Sequence, residues 1–212
     1  WPESREKRPK QICKFIDNRS MLDHTIDRLI AAGSEHIIII TNDSLLPSIE
    51  QLVRDRADGN WIEILSEPEG RNTAPAVGLI LSKYYNQKQD AILGFFPADH
   101  HVLDNDQFVN SIKNAINTAE KDHLVTIGIC PTRPETGFGY IERTKWELGE
   151  IPGTYQVNSF CEKPDLPMAE KYLTTGQHMW NAGIYMGKVQ VLVDEFKDHL
   201  PEVHEKVIKG YE

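Results

Sequence analysis

Short continuous apolar runs alternate along the chain with stretches in which apolar residues recur every three or four positions. His36-Ile37-Ile38-Ile39-Ile40 is β-branched and unbroken, the pattern of a strand buried on both faces of a parallel sheet. Residues 61–65, 91–96 and 124–129 read the same way. Between them the spacing predicts helices over 20–33, 46–57, 74–88 and 106–121. The first carries its own start and stop signals. Ser20 stands three residues before Asp23, a capping-box spacing, and Gly33 follows the last apolar position. Strands alternating with amphipathic helices predict an α/β fold, a sheet with helices on both faces.

After residue 130 the rhythm changes. Turn-forming residues gather at 131–139 and 149–153, between strand-like pieces at 138–144, 155–162 and 180–187. Helices resume at 167–175 and 188–198. With no repeat, low-complexity tract or linker, the second half reads as a partly antiparallel continuation, and 1–212 as a single domain. The chain opens at Trp1 instead of a methionine and stops at Gly210-Tyr211-Glu212 inside a helical pattern, so further residues are expected beyond both ends.

Composition narrows the function classes. The 212 residues are 40% apolar, enough for a sizeable core, and 23 Lys+Arg against 32 Asp+Glu leave a net charge of −9. That excess of carboxylates argues against a nucleic-acid partner, which demands a basic face. No apolar run approaches the ~20 residues of a membrane span. The 3 cysteines are odd in number and far apart, which suggests neither a disulfide framework nor a zinc site and fits a reducing, cytoplasmic setting.

In open α/β sheets ligands bind beyond the carboxyl ends of strands, and several polar motifs stand there. Pro97-Ala98-Asp99-His100-His101 follows an apolar run, and its lone carboxylate could hold Mg²⁺ or simply form the turn. Glu67-Pro68-Glu69-Gly70-Arg71-Asn72-Thr73-Ala74-Pro75 fits both a helix N-terminus open to an anion or base edge and an ordinary capped loop. Arg5, Lys7, Arg8 and Lys10 form either a phosphate-binding edge or a solvated arm. Gly137-Phe138-Gly139 permits close backbone approach by a ligand, or marks a bulge. Glu162-Lys163 and Trp180-Asn181-Ala182-Gly183 place polar groups at the ends of apolar runs.

Taken in order, Trp1-Pro2, Arg5, Pro9-Lys10-Gln11, Gly70-Arg71-Asn72-Thr73-Ala74-Pro75, Pro97-Ala98-Asp99-His100, Gly139-Tyr140-Ile141, Glu162-Lys163-Pro164 and Trp180-Asn181-Ala182-Gly183 resemble the mannose-1-phosphate guanylyltransferases, or GDP-mannose pyrophosphorylases. The resemblance spans essentially the whole chain. It implies a three-layer nucleotide-diphosphosugar transferase fold, Rossmann-like, with a mixed, mostly parallel central sheet. It implies the joining of GTP and mannose 1-phosphate into GDP-mannose and pyrophosphate, with Mg²⁺ as cofactor, in a homodimer. By the same resemblance Asp99 carries the metal and Lys10 contacts the nucleotide, both catalytic. Arg5, Gly70, Arg71, Asn72 and Thr73 join Lys10 around the nucleotide. Gly139, Glu162, Lys163 and Asn181 take the sugar phosphate: main chain toward the mannose, carboxylate to its hydroxyls, ammonium to its phosphate, and amide closing the pocket.

The chemistry suits these residue types. The attacking phosphate oxygen is already anionic, so alignment of two polyanions and neutralisation of developing charge matter more than a general base. The resemblance also implies parts not found within these residues: a glycine-rich loop with its arginine before Trp1, a second metal-holding aspartate, and often a C-terminal β-helix. The 212 residues alone are therefore expected to be inactive. Two other readings compete: a noncatalytic nucleotide-sugar-binding or regulatory module, and a related transferase for another nucleotide or hexose.

Overall fold

The computed structural model describes residues 9–67, 73–149 and 151–208. Helix α1 (Met21–Ala31), strand β1 (Ile37–Asn42), helix α2 (Leu46–Arg54), strand β2 (Ile62–Glu67) and helix α3 (Thr73–Asn86) come first. Strand β3 (Ile92–Phe95), helix α4 (Asn105–Ala119) and strands β4 (Val125–Ile129), β5 (Gly139–Glu147) and β6 (Tyr155–Glu162) follow. Helix α5 (Leu166–Thr175), strand β7 (His178–Lys188) and helix α6 (Val189–His199) complete the regular elements, before short helical turns over Pro201–Val203 and His204–Ile208. By contact density the chain divides into two compact units, one of residues 1–87, 97–112 and 195–212, the other of 88–96 and 113–194. Among the described residues no helix is long and apolar enough to cross a membrane.

The first unit is built as the periodicity predicts. The Ser20 hydroxyl accepts the Asp23 N–H at 3.0 Å and the Asp23 carboxylate accepts the Ser20 N–H at 3.1 Å, which completes the capping box of α1. Gly33, at φ 95°, ends the helix in a backbone region that other residues resist. Leu22 and Ile26 of α1, Ile49 and Val53 of α2, and Ile37 and Ile39 of β1 form one buried cluster. Spacings of four on the helices and two on the strand put these residues on single faces. β1 pairs in parallel with β2 from Ile37–Ile62 to Asn42–Glu67. Gly78 lets α3 approach the terminal turns: a Cβ there would lie 3.3 Å from the methyl groups of both Val203 and Val207.

The second unit carries the antiparallel part of the sheet that the sequence predicts. All its strand pairings are antiparallel: β3, β4 and β5 each pair with β7, and β6 pairs with β5. The pairings among the described residues are mixed, as expected, with β1–β2 parallel, while β3 and β4, whose apolar runs read as parallel strands, have an antiparallel partner in β7. The physical reason is that an apolar run reports burial, not strand direction. β7 is long enough to present both edges to several partners. Trp180 faces Ile129 of β4 across one edge and Tyr140 of β5 across the other; Met186 likewise faces Val125 and Gly94. The β4–β7 register jumps between Thr126–Tyr185 and Gly128–Asn181, so β7 bulges at Ala182-Gly183-Ile184, with Gly183 at φ 67°. Strand alternation sorts the sheet: Tyr140, Cys161 and Trp180 lie on the face covered by α5, through Ala169 and Tyr172. Gly139, Ile141, Phe160, Glu162 and Met179 lie on the other.

Candidate functional site

In the first unit, Lys10 opens a single 3-10 turn, Lys10–Ile12, with its side chain exposed. The turn is held from below. The Cys13 N–H donates to the Lys10 carbonyl at 3.1 Å, and the fully buried Cys13 thiol donates to the Pro9 carbonyl at 3.3 Å. Thr73 is the exposed first residue of α3. Arg5, Gly70, Arg71 and Asn72 lie outside the described residues.

Asp99 sits half-buried in the turn after Pro97, and both its neighbours are anchored. Ala98 packs against the Leu22–Val53 cluster. The His100 carbonyl accepts a hydrogen bond from Arg28 Nη2 at 3.0 Å. Arg28, only 6% exposed on α1, also donates from Nη2 to the Thr25 hydroxyl at 2.9 Å and lies over the Phe108 ring at 5.6 Å. Burial pushes the His100 imidazole below its ordinary pKa; Asp99 pulls it up and the Arg28 charge pushes it down. Among the described residues no three His, Cys, Asp or Glu side chains gather as a metal cage. The single carboxylate of Asp99 therefore fits a Mg²⁺ whose other ligands are phosphate oxygens and water, and not one held by protein alone.

In the second unit the expected sugar-phosphate residues come together around the start of β5. Gly139 pairs with Glu162 across β5 and β6. A Cβ on Gly139 would lie 2.8 Å from the Glu162 carboxylate and 2.9 Å from the Phe160 ring, so any side chain there would push these two exposed side chains aside. Lys163 is in left-handed backbone at φ 46°, a conformation that costs a side-chain-bearing residue about 1–2 kcal/mol. Its N–H donates to the Phe138 carbonyl at 3.2 Å, which fixes the turn. Lys163 Nζ lies 3.4 Å from Glu162 Oε1, with both side chains more than half exposed. A carboxylate and an ammonium thus stand side by side at the glycine main chain, with the exposed Phe160 ring next to them. That set can accept from hydroxyls and neutralise an anion together.

Asn181 lies on the same face, two residues from Met179, and has a job inside the fold. Its Oδ1 accepts the Gly183 N–H at 3.0 Å and lies 3.4 Å from the Thr126 hydroxyl, which also reaches the Ile184 carbonyl at 3.1 Å, while Nδ2 donates to the Tyr185 hydroxyl at 3.1 Å. It is the pin of the β7 bulge. Nearby, Phe138 meets Trp180 edge-on at 5.3 Å, and Arg133, which motif reading did not single out, stacks over Trp180 at 5.4 Å. Arg28 was also missed there. Its signal is the Thr25–Arg28 pair, polar residues three apart among the apolar positions of α1.

The first unit also has a depression of about 900 Å³ lined by residues that include Lys14, Arg19, Asp23, Arg56, Asp58 and Trp61, but none of the expected site residues. Its guanidiniums face carboxylates: Arg56 bonds Asp23, Asp27 and Asp58, and Arg19 pairs with Asp27. That leaves little uncompensated positive charge for an anionic ligand, so the chemistry favours the Asp99 turn and the Gly139 cluster over this cavity.

Residues 1–211 match the family described as nucleotidyl transferase. A Vibrio cholerae protein provisionally named a mannose-1-phosphate guanylyltransferase is 41% identical over 207 residues, 96% of this chain and 43% of that protein. Mannose-1-phosphate guanylyltransferase 2 of Escherichia coli O157:H7 is 36% identical over 214 residues, again 96% of this chain and 43% of the relative. A solved structure described as a mannose-1-phosphate geranyltransferase from Thermus thermophilus superposes with a TM-score of 0.86 at 31% identity, over 100% of this chain and 61% of that one. The chain spans less than half the length of these curated relatives.

Proposed function

The chain belongs to the nucleotidyl transferase family, and from that premise we propose that its protein transfers the guanylyl group of GTP to mannose 1-phosphate. A phosphate oxygen of mannose 1-phosphate attacks the α-phosphorus of GTP, the bond to the bridging oxygen of the β-phosphate breaks, and pyrophosphate departs with its electron pair. The nucleophile is an anion at neutral pH, so no residue has to remove a proton. Lys163 holds the sugar phosphate and offsets its charge. Glu162 accepts from sugar hydroxyls, the Gly139 main chain lies along the ring, and Asn181 keeps the bulge beside them in shape. Lys10 meets the triphosphate, with Arg5, Gly70, Arg71, Asn72 and Thr73 assigned to base, ribose and phosphate. Mg²⁺, when bound through Asp99 and phosphate oxygens, supplies neutralisation of the charge that builds on the leaving pyrophosphate.

The observation that carries the reading is Lys163, an exposed ammonium set in left-handed backbone directly after Glu162. A strained backbone persists only where the surrounding structure enforces it, and at Lys163, beside Glu162 and Gly139, that supports a ligand-orienting role. The names of the relatives support the choice of guanylyl donor and mannosyl acceptor. The test is pyrophosphate release by the full-length protein with GTP, UTP or dTTP and with mannose or glucose 1-phosphate. GTP with mannose 1-phosphate is expected to give the highest kcat/KM; a preference for dTTP sinks the guanylyl assignment. Lys163→Met is expected to raise KM for the sugar phosphate at least tenfold and leave KM for GTP near wild type. The expectation follows from the loss of one charge-assisted contact worth about 1.5–3 kcal/mol.

A further inference from the structure

Arg28 is a buried cation far along the sequence from the residues assigned to chemistry, and its bonds lead to the Asp99 turn. Its Nη2 bridges the Thr25 hydroxyl at 2.9 Å and the His100 carbonyl at 3.0 Å, and its Nε is buried with no hydrogen-bond partner. Burial lowers the guanidinium pKa, with Asp27 working the other way. For packing alone, an apolar side chain of similar length would serve better in such a place. What the guanidinium adds is directional. With Ala98 fixed in the apolar cluster on one side and the His100 carbonyl held on the other, the backbone of Asp99 has little freedom left.

We propose that Arg28 is a positioning residue for Asp99: through the His100 carbonyl it sets the carboxylate where it meets a nucleotide-bound Mg²⁺. The inference rests on the reading that Asp99 carries the metal. Partners that orient a metal ligand are typically worth ~10–100-fold in metal affinity.

The experiment measures GTP binding to the full-length protein by calorimetry, once with Mg²⁺ and once in EDTA. The ratio of the two dissociation constants is the gain in GTP affinity that the metal brings. Asp99→Asn is expected to abolish the gain. Arg28→Met is expected to cut it about tenfold while leaving metal-free GTP binding unchanged. Arg28→Lys keeps the charge and three donors, but its shorter stem does not carry them to the place of Nη2, so its loss should be smaller and in the same direction. If Asp99→Asn loses the gain while Arg28→Met keeps it, the inference is overturned and the metal assignment stands. If Asp99→Asn keeps the gain, the metal assignment itself falls and the inference with it. Equal weakening of GTP binding with and without Mg²⁺ in Arg28→Met means a structural role only, and also overturns the inference. Should Arg28→Met fail to fold, Arg28→Lys decides: a reduced gain supports positioning, and a wild-type gain overturns it.

Discussion

At Arg56 three carboxylates converge on one guanidinium: Asp58 on Nε at 2.8 Å, Asp23 on Nη1 at 3.0 Å and Asp27 on Nη2 at 2.7 Å. The Arg56 bonds hold the Asp58 carboxyl below its ordinary range. Burial alone would raise Asp23, but its bonds to Ser20 and Arg56 outweigh that and leave it lowered. Carboxyls depressed in the fold stabilise it above their unfolded pKa of ~4, and that contribution is lost as pH falls through the depressed values. Arg56→Met is therefore expected to lower stability by about 1–3 kcal/mol at pH 7. The gap to wild type should close below pH ~4, as read by urea midpoints across pH. A second prediction concerns two neighbouring glycines. Gly139→Ala pushes the exposed Phe160 ring and Glu162 carboxylate aside, so it should lower activity while costing only about 0.5 kcal/mol of stability. Gly137→Ala meets only the Glu135 carboxylate at 3.3 Å and should be mild. Residues such as Ser20 and Asp23 were legible in sequence because their roles depend on neighbours a few positions away. The bulge-holding role of Asn181 was not, because the bulge exists only in the register of β7 against β4, which the fold brings near.

Elements were legible where a local signal exists. The run at 155–162 became β6 residue for residue, and the helix expected at 167–175 became α5 at Leu166–Thr175. Ser20→Ala removes the cap of α1 and is expected to cost about 1 kcal/mol in thermal or urea unfolding. Gly183→Ala places a side chain in left-handed backbone at the β7 bulge and should cost about 1–2 kcal/mol. Because that bulge carries Asn181, the Gly183 variant should also weaken sugar-phosphate binding, whereas the Ser20 variant should not. Strand partners stayed illegible. The isoleucine run of β1 and the apolar run of β3 look alike in sequence, yet one pairs in parallel and the other antiparallel. Direction is set by the partner, and the partner lies far along the chain.

Across the whole molecule the α/β character could be read from alternation alone, and the family from six ordered motifs. The division into two compact units could not, since the chain returns to the first unit after residue 96 and again after residue 194 with no linker to mark it. In the second unit, stability should concentrate where pairing is doubled. Backbone amides of β7, bonded along both edges, are expected to exchange slowest in hydrogen–deuterium exchange of the full-length protein, and those of the outer strand β6 faster. Faster exchange in β7 than in β6 would contradict that hierarchy.

The same strand sets an order of events at the ribosome. β3 and β4 emerge early, with apolar residues meant for burial, while the strand that both must pair with is still untranslated. Only β5 and β6 are neighbours enough to close a hairpin on their own schedule. A nascent chain halted before residue 178 should thus hold a hairpin and two orphaned strands, and bind chaperones avidly. One halted a little after residue 188, once clear of the exit tunnel, should release them as the sheet snaps shut around its last member.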